Sequence, residues 1–292
     1  MTVPTARRAE GTPAFCHDRR VNAAPESVLT TRAHHLPAAG LTVIAVALLI
    51  ALPELLGDRG RLAAVLVLQL GLVLAWVLVT GIEGFSGSLA VGAAAAVAVD
   101  LMLVLPERPV LGGLLVVLGL GFLAAVLQQM FRRPRHDLVA SLSGTVLLLC
   151  PVGALAALLL LGRSTGSGRA LVALLAVGVA LVVGHLVDLV LPRPQLAPGV
   201  PRGLLALVLA VPAGAAVTFL GRDAADLSGA TNAVLFGAVL GGVAALVAVV
   251  ASYLVVEATG ESAETPWALP VVQVALPLAA CGPVALALLT VL

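Results

Sequence analysis

From Leu36 onward the chain alternates long apolar runs with short polar breaks. Crossing a hydrocarbon core of about 30 Å takes roughly 20 apolar residues in a helix. On that measure the pattern predicts about nine spans: Leu36–Leu56, Leu62–Thr80, Phe85–Leu105, Val110–Met130, Leu138–Leu161, Leu171–Leu191, Gly203–Leu220, Ala233–Val256 and Trp267–Leu292. The breaks carry turn and charge signals: Gly57-Asp58-Arg59-Gly60-Arg61, Pro106-Glu107-Arg108-Pro109, Arg132-Arg133-Pro134-Arg135 and Pro192-Arg193-Pro194. Lipid offers no hydrogen bonds to the backbone, so each span closes its own as a helix. The expected class is all-α, a polytopic transmembrane helix bundle.

Composition strengthens this reading. Of 292 residues, 61% are hydrophobic and 11% charged, too few charges to cover a water-soluble fold of this length. Residues 1–35 are polar and Arg-rich and hold no apolar core of signal-peptide length, so they are expected to form a disordered cytoplasmic tail. Residues 36–292 form the transmembrane domain. All the basic positions are arginine, and with the N-terminus inside, most of them fall on the inner side, Arg132, Arg133 and Arg135 together. This bias favours a multi-pass protein of the inner (plasma) membrane with a cytoplasmic N-terminus. A net charge of +1 excludes a nucleic-acid partner, which would need a basic patch. Cys16, Cys150 and Cys281 are far apart and show no metal-ligand spacing.

Small residues recur at four-residue spacing, as in Ser88/Gly92/Ala96, Gly153/Ala157 and Gly237/Gly241. Such faces let helix backbones approach closely, and they are expected to pack within the bundle. Gln69 and Gln273 are expected to hydrogen-bond between helices. Gly162–Arg169 superficially resembles a phosphate loop but lacks the Gly-Lys-Ser/Thr ending, so it is read as a flexible link.

Ionisable groups inside a membrane are costly, and each raises a functional question. His185 and Asp188 lie three apart, on one face of the sixth span. With Arg202 and the Arg132/Arg133/Arg135 run they make candidate contacts to lipid headgroups or phosphates. Asp188 together with Glu257, Glu261 and Glu264 is the weaker candidate for a metal site. Asp100 lies toward the opposite leaflet from Asp188 and is expected to pair with Arg108 or a backbone donor.

Two stretches carry a resemblance. One is Arg132–Leu161, with Ala140-Ser141-Leu142-Ser143-Gly144-Thr145-Val146 after its basic break. The other is Val183-Gly184-His185-Leu186-Val187-Asp188 followed by Leu196-Ala197-Pro198-Gly199-Val200-Pro201-Arg202-Gly203. Over residues 110–292 their order and spacing resemble the bacterial phosphatidate cytidylyltransferases, the CDP-diacylglycerol synthases. The resemblance implies a multi-span bundle, an aspartate at Asp188, and Mg²⁺ as cofactor if the chemistry is retained. The family's Ser-Pro-Lys-Lys-Thr-Trp-Glu-Gly run is reduced here to Val200-Pro201-Arg202-Gly203. Its basic C-terminal signature is absent, and no His follows His185. Nucleotidyl transfer needs metal carboxylates and basic groups on the phosphates. The expected function is therefore a non-catalytic membrane protein of cytidylyltransferase-like design that binds membrane lipid or a protein partner. A small-solute or lipid transporter, and a structural subunit of a membrane complex, are the alternatives.

Overall fold

The computed structural model describes residues 35–82, 84–106, 112–133, 138–191, 194, 196, 200, 202–227, 229–258 and 267–291, except for the side chains of residues 164 and 255–258. The expected tail, apart from His35, lies outside them. Among the described residues there are nine helices and no strand. They are α1 His35–Leu56, α2 Asp58–Thr80, α3 Phe85–Val104, α4 Gly112–Phe131, α5 Leu138–Ser164, α6 Ser167–Val190, α7 Leu204–Leu220, α8 Ala230–Ala258 and α9 Ala268–Val291. Eight are long and apolar enough to cross a membrane; α7, with 17 residues, is the shorter apolar one. At 1.5 Å per residue α7 is still about 26 Å long. The protein is thus a membrane-embedded, multi-pass helical bundle.

Short connections make successive helices alternate in direction. The end of the bundle where α1 begins is called proximal here, and the other distal. The helices run further into the breaks than hydropathy suggests. α2 starts at Asp58, because Gly57 alone makes the turn with φ 62, a left-handed conformation that suits glycine. The Gly162–Arg169 run is not a flexible link: α5 extends to Ser164 and α6 begins at Ser167. Its Ser and Gly residues sit in helix ends, where apolar periodicity gives no signal. Nor do Pro212 and Pro277 break their helices, since α7 and α9 run through them.

The helices α2, α5 and α9 pack together in the middle, with α3 and α4 on one flank and α6, α7 and α8 on the other; α1 bridges α2 and α6. Their shared core includes Leu72, Leu155, Leu159, Leu240 and Leu278, all buried. Large apolar side chains such as Leu115, Phe131, Val139 and Leu220 point outward, as a lipid-facing surface requires. α7 and α8 approach each other closely. A Cβ at Gly214 would lie 2.5 Å from the Gly237 carbonyl, and one at Gly241 2.6 Å from that of Ala210. Thr218 closes the seam by donating its hydroxyl to the Ala233 carbonyl at 2.6 Å. The Gly237/Gly241 face therefore serves packing inside the bundle. The Ser88/Gly92/Ala96 face does the same, with Ser88 against Thr145 and Gly92 against Val73 and Leu148.

Candidate functional site

At the proximal end, the start of α1, the end of α6 and the start of α7 bring four ionisable side chains together. Helical spacing puts His185 and Asp188 on the buried face of α6. The chain then folds back on itself. Leu196 N–H donates to the Arg202 carbonyl at 3.4 Å, and Leu204 N–H donates to the Pro194 carbonyl at 3.1 Å. This return places Arg202 and Gly203 beneath α6. The Gly203 N–H donates to Asp188 Oδ1 at 2.8 Å, and Arg202 Nη1 lies 3.9 Å from Asp188 Oδ2. Arg202 Nη2 lies 3.1 Å from His185 Nε2, and His185 Nδ1 lies 3.4 Å from His35 Nδ1.

A guanidinium only donates, so the His185 nitrogen facing it accepts. Arg202 Nη2 also lies 3.4 Å from His185 Nδ1, so the guanidinium stands against both ring nitrogens. Gly184 leaves room for this arrangement, since a Cβ there would lie 3.0 Å from Arg202 Nη1. None of the four side chains is more than 3% exposed. Burial pulls the Arg202 guanidinium down to about 10, and the Asp188 carboxylate works against that shift, so Arg202 stays charged at neutral pH. Asp188 Oδ2 and Arg202 Nε have charge partners nearby but, among the described residues, no hydrogen bond. The result is a charge-paired knot that fastens one loop and two helix ends to α1.

Magnesium does not fit at Asp188. One carboxylate oxygen is taken by the Gly203 amide, and a cation on the other would face the Arg202 guanidinium. Among the described residues no group of three or more His, Cys, Asp or Glu side chains could hold a metal ion. Glu257 falls within α8, but its side chain, with Glu261 and Glu264, lies outside the described residues.

The structure thus joins His185, Asp188 and Arg202 and leaves the other basic candidates elsewhere. Arg132 donates to Gln129 Oε1 at 3.2 Å and lies against Gly84, at the corner of α3 and α4. Arg133 is exposed beside it, and Arg135 lies outside the described residues. Gln69 bonds between helices as expected, donating to Asp100 on α3 and to the Val152 carbonyl on α5. Asp100 therefore takes a side-chain amide as its partner, not a backbone donor; Arg108 lies outside the described residues. Gln273 is buried, but its Oε1 has no partner.

Toward the distal end, α3 and α4 diverge to leave an apolar groove of about 680 Å³, lined by Ala94, Ala98, Leu101, Met102, Leu120 and Ala124 among others. Arg163, at the end of α5, donates to the Leu103 carbonyl of α3 at 3.2 Å.

His35 escaped sequence reading because it falls at the edge of the polar tail. Its position next to the first apolar run was the only available signal. The Gly203 amide could not be found at all, since a backbone N–H becomes a ligand only through the path of its loop. Compared with known proteins, the chain matches no protein-family model and no curated protein.

Proposed function

We propose that this is a non-catalytic membrane protein of cytidylyltransferase-like design whose work is to hold membrane lipid. The observation that carries the first part is the state of Asp188. The resemblance would make this residue the metal carboxylate of a nucleotidyl transferase. Here it is sealed between an amide and a guanidinium, out of reach of a nucleotide. Transfer between two phosphates needs that charge exposed and free. Purified protein given CTP, phosphatidate and Mg²⁺ is expected to form no CDP-diacylglycerol above a protein-free blank. Turnover that Asp188→Ala abolishes would overturn the non-catalytic reading.

Lipid binding is supported by the groove between α3 and α4. It is apolar and opens where hydrocarbon surrounds the bundle. A phospholipid acyl chain suits such a groove. Native mass spectrometry from nanodiscs is expected to show retained phospholipid, reduced by Ala94→Trp. Retention unchanged by the substitution would refute it.

We place the N-terminus in the cytoplasm from the arginine bias. A membrane-impermeant maleimide is then expected to label Cys16 only after the cells are opened. Labelling of intact cells would invert the topology. A transporter is the second reading, favoured by one observation: Asp100 is a carboxylic acid buried within a span.

A further inference from the structure

A second polar site lies apart from the proximal knot and does not depend on the lipid-binding reading. Gln69 on α2 donates Nε2–H to Asp100 Oδ1 on α3 at 3.0 Å and to the Val152 carbonyl on α5 at 3.1 Å. Gln69 and Asp100 are 0% and 2% exposed. Gln69 lies eleven residues into α2 from Asp58, and Val152 twelve residues before the end of α5 at Ser164. At 1.5 Å per residue both are about 16–18 Å from the distal helix ends. Asp100 itself is four residues, about 6 Å, before the distal end of α3 at Val104, so the pair lies inside the bundle in its distal half.

Among the described residues, two oxygens in this pair have no hydrogen-bond partner, Gln69 Oε1 and Asp100 Oδ2. Both are acceptors when the acid is ionised, and the Gln69 amide nitrogen is already engaged twice. Among the described residues no ion pair reaches Asp100. The charged or titratable groups on the helices packed against α3 are Asp58, Arg59 and Arg61 on α2 and Cys150 and Arg163 on α5; α4 has none. Arg61 is paired with Asp58 at 2.9 Å, and Arg163 is held by the Leu103 carbonyl. An ionised Asp100 would thus be a buried charge without a counterion, beside an acceptor without a donor. Each of these is expensive in a low-dielectric interior.

One proton removes both faults. Bound to Oδ2, it neutralises the carboxylate and provides the donor that Gln69 Oε1 lacks. The acid and the amide then pair through both of their edges. We propose that Asp100 and Gln69 form a proton-binding site inside the membrane, with Asp100 Oδ2 holding the proton and Gln69 Oε1 accepting from it. The site exchanges toward the distal end. Arg61, Val65 and Gln69 share one stripe of α2 at four-residue spacing, and Arg61 lines a small cavity of about 50 Å³ with Glu54 and Ser167. Fully buried Val65 is the apolar turn between that cavity and the amide. Release of the proton leaves a bare charge between α2, α3 and α5, so occupancy of the site is tied to how those helices pack.

Infrared difference spectroscopy of protein in nanodiscs, wild type minus Asp100→Asn at neutral pH, tests this. The expected result is a protonated-carboxyl C=O band present in the wild type and lost in the variant. Carboxylate bands in its place would overturn the proposal. Gln69→Leu provides a control that leaves the acid in place. The carboxyl band is expected to persist and move toward the position of a free acid; an unshifted band would refute the pairing. Loss of the band in sodium buffer but not in choline buffer would assign the site to a metal cation, and so overturn the proton assignment.

Discussion

The two buried aspartates make an informative pair. Asp188 sits at the proximal ends of helices, where a loop can fold back and bring a backbone amide and a guanidinium to it. Asp100 sits inside a helix, where neighbouring backbone donors are spent on the helix itself and only another side chain can reach it. The first carboxylate is balanced by a charge of opposite sign. The second meets a neutral amide. A membrane bundle can keep a charge where loops supply a counter-charge. Inside a span it has to satisfy the same residue with hydrogen bonds and a proton.

The largest effect that would break this contrast should come from Arg202→Leu. It removes the counter-charge and leaves Asp188 buried and unpaired, a change worth about 3–5 kcal/mol in folded proteins. The expected readout is a marked fall in thermal stability of the purified protein in detergent, partly restored by adding Asp188→Leu. If the single variant is as stable as the wild type, the knot does not hold the proximal end together. A smaller effect is expected for Gln69→Leu, which deletes the hydrogen bonds joining α2, α3 and α5. Side-chain hydrogen bonds between membrane helices are worth about 0.6–1.7 kcal/mol each. A modest drop in melting temperature follows, and a loss matching that of Arg202→Leu would erase the distinction between the sites.

The smallest effect is expected for Asp100→Asn, because the amide keeps the shape of a protonated acid and offers a donor to Gln69 Oε1. Stability should change by no more than about 0.5 kcal/mol, the range of substitutions that break no feature. The same substitution at Asp188 strands a buried guanidinium and should cost clearly more. Equal costs at the two positions would refute the comparison.

Much of the architecture was legible in the sequence. Apolar runs of span length force helices, and each break that hydropathy marked lies at or near a connection. The limits of the helices were less legible, because Asp58–Arg61 and Gly162–Ser164 are polar and yet helical. Of the candidate site residues, the shared buried face of His185 and Asp188 followed from helical spacing alone. The separation of Arg132 and Arg133 from Arg202 did not follow, since local charge says nothing about which corner of a bundle a loop occupies.

What the sequence determined by itself is the solvent this chain requires: its apolar content leaves a bilayer as the surroundings and helices as the only way to close the backbone within it. Only the tertiary structure decided which polar side chains meet. His35 and His185 are 150 positions apart, and Gln69 and Asp100 are 31 apart on different spans. Periodicity along one helix gives the face a residue occupies, whereas the neighbour of that face depends on how all the helices pack. For the same reason Asp100 and Asp188, alike in the sequence, differ in the fold by the partner each one meets.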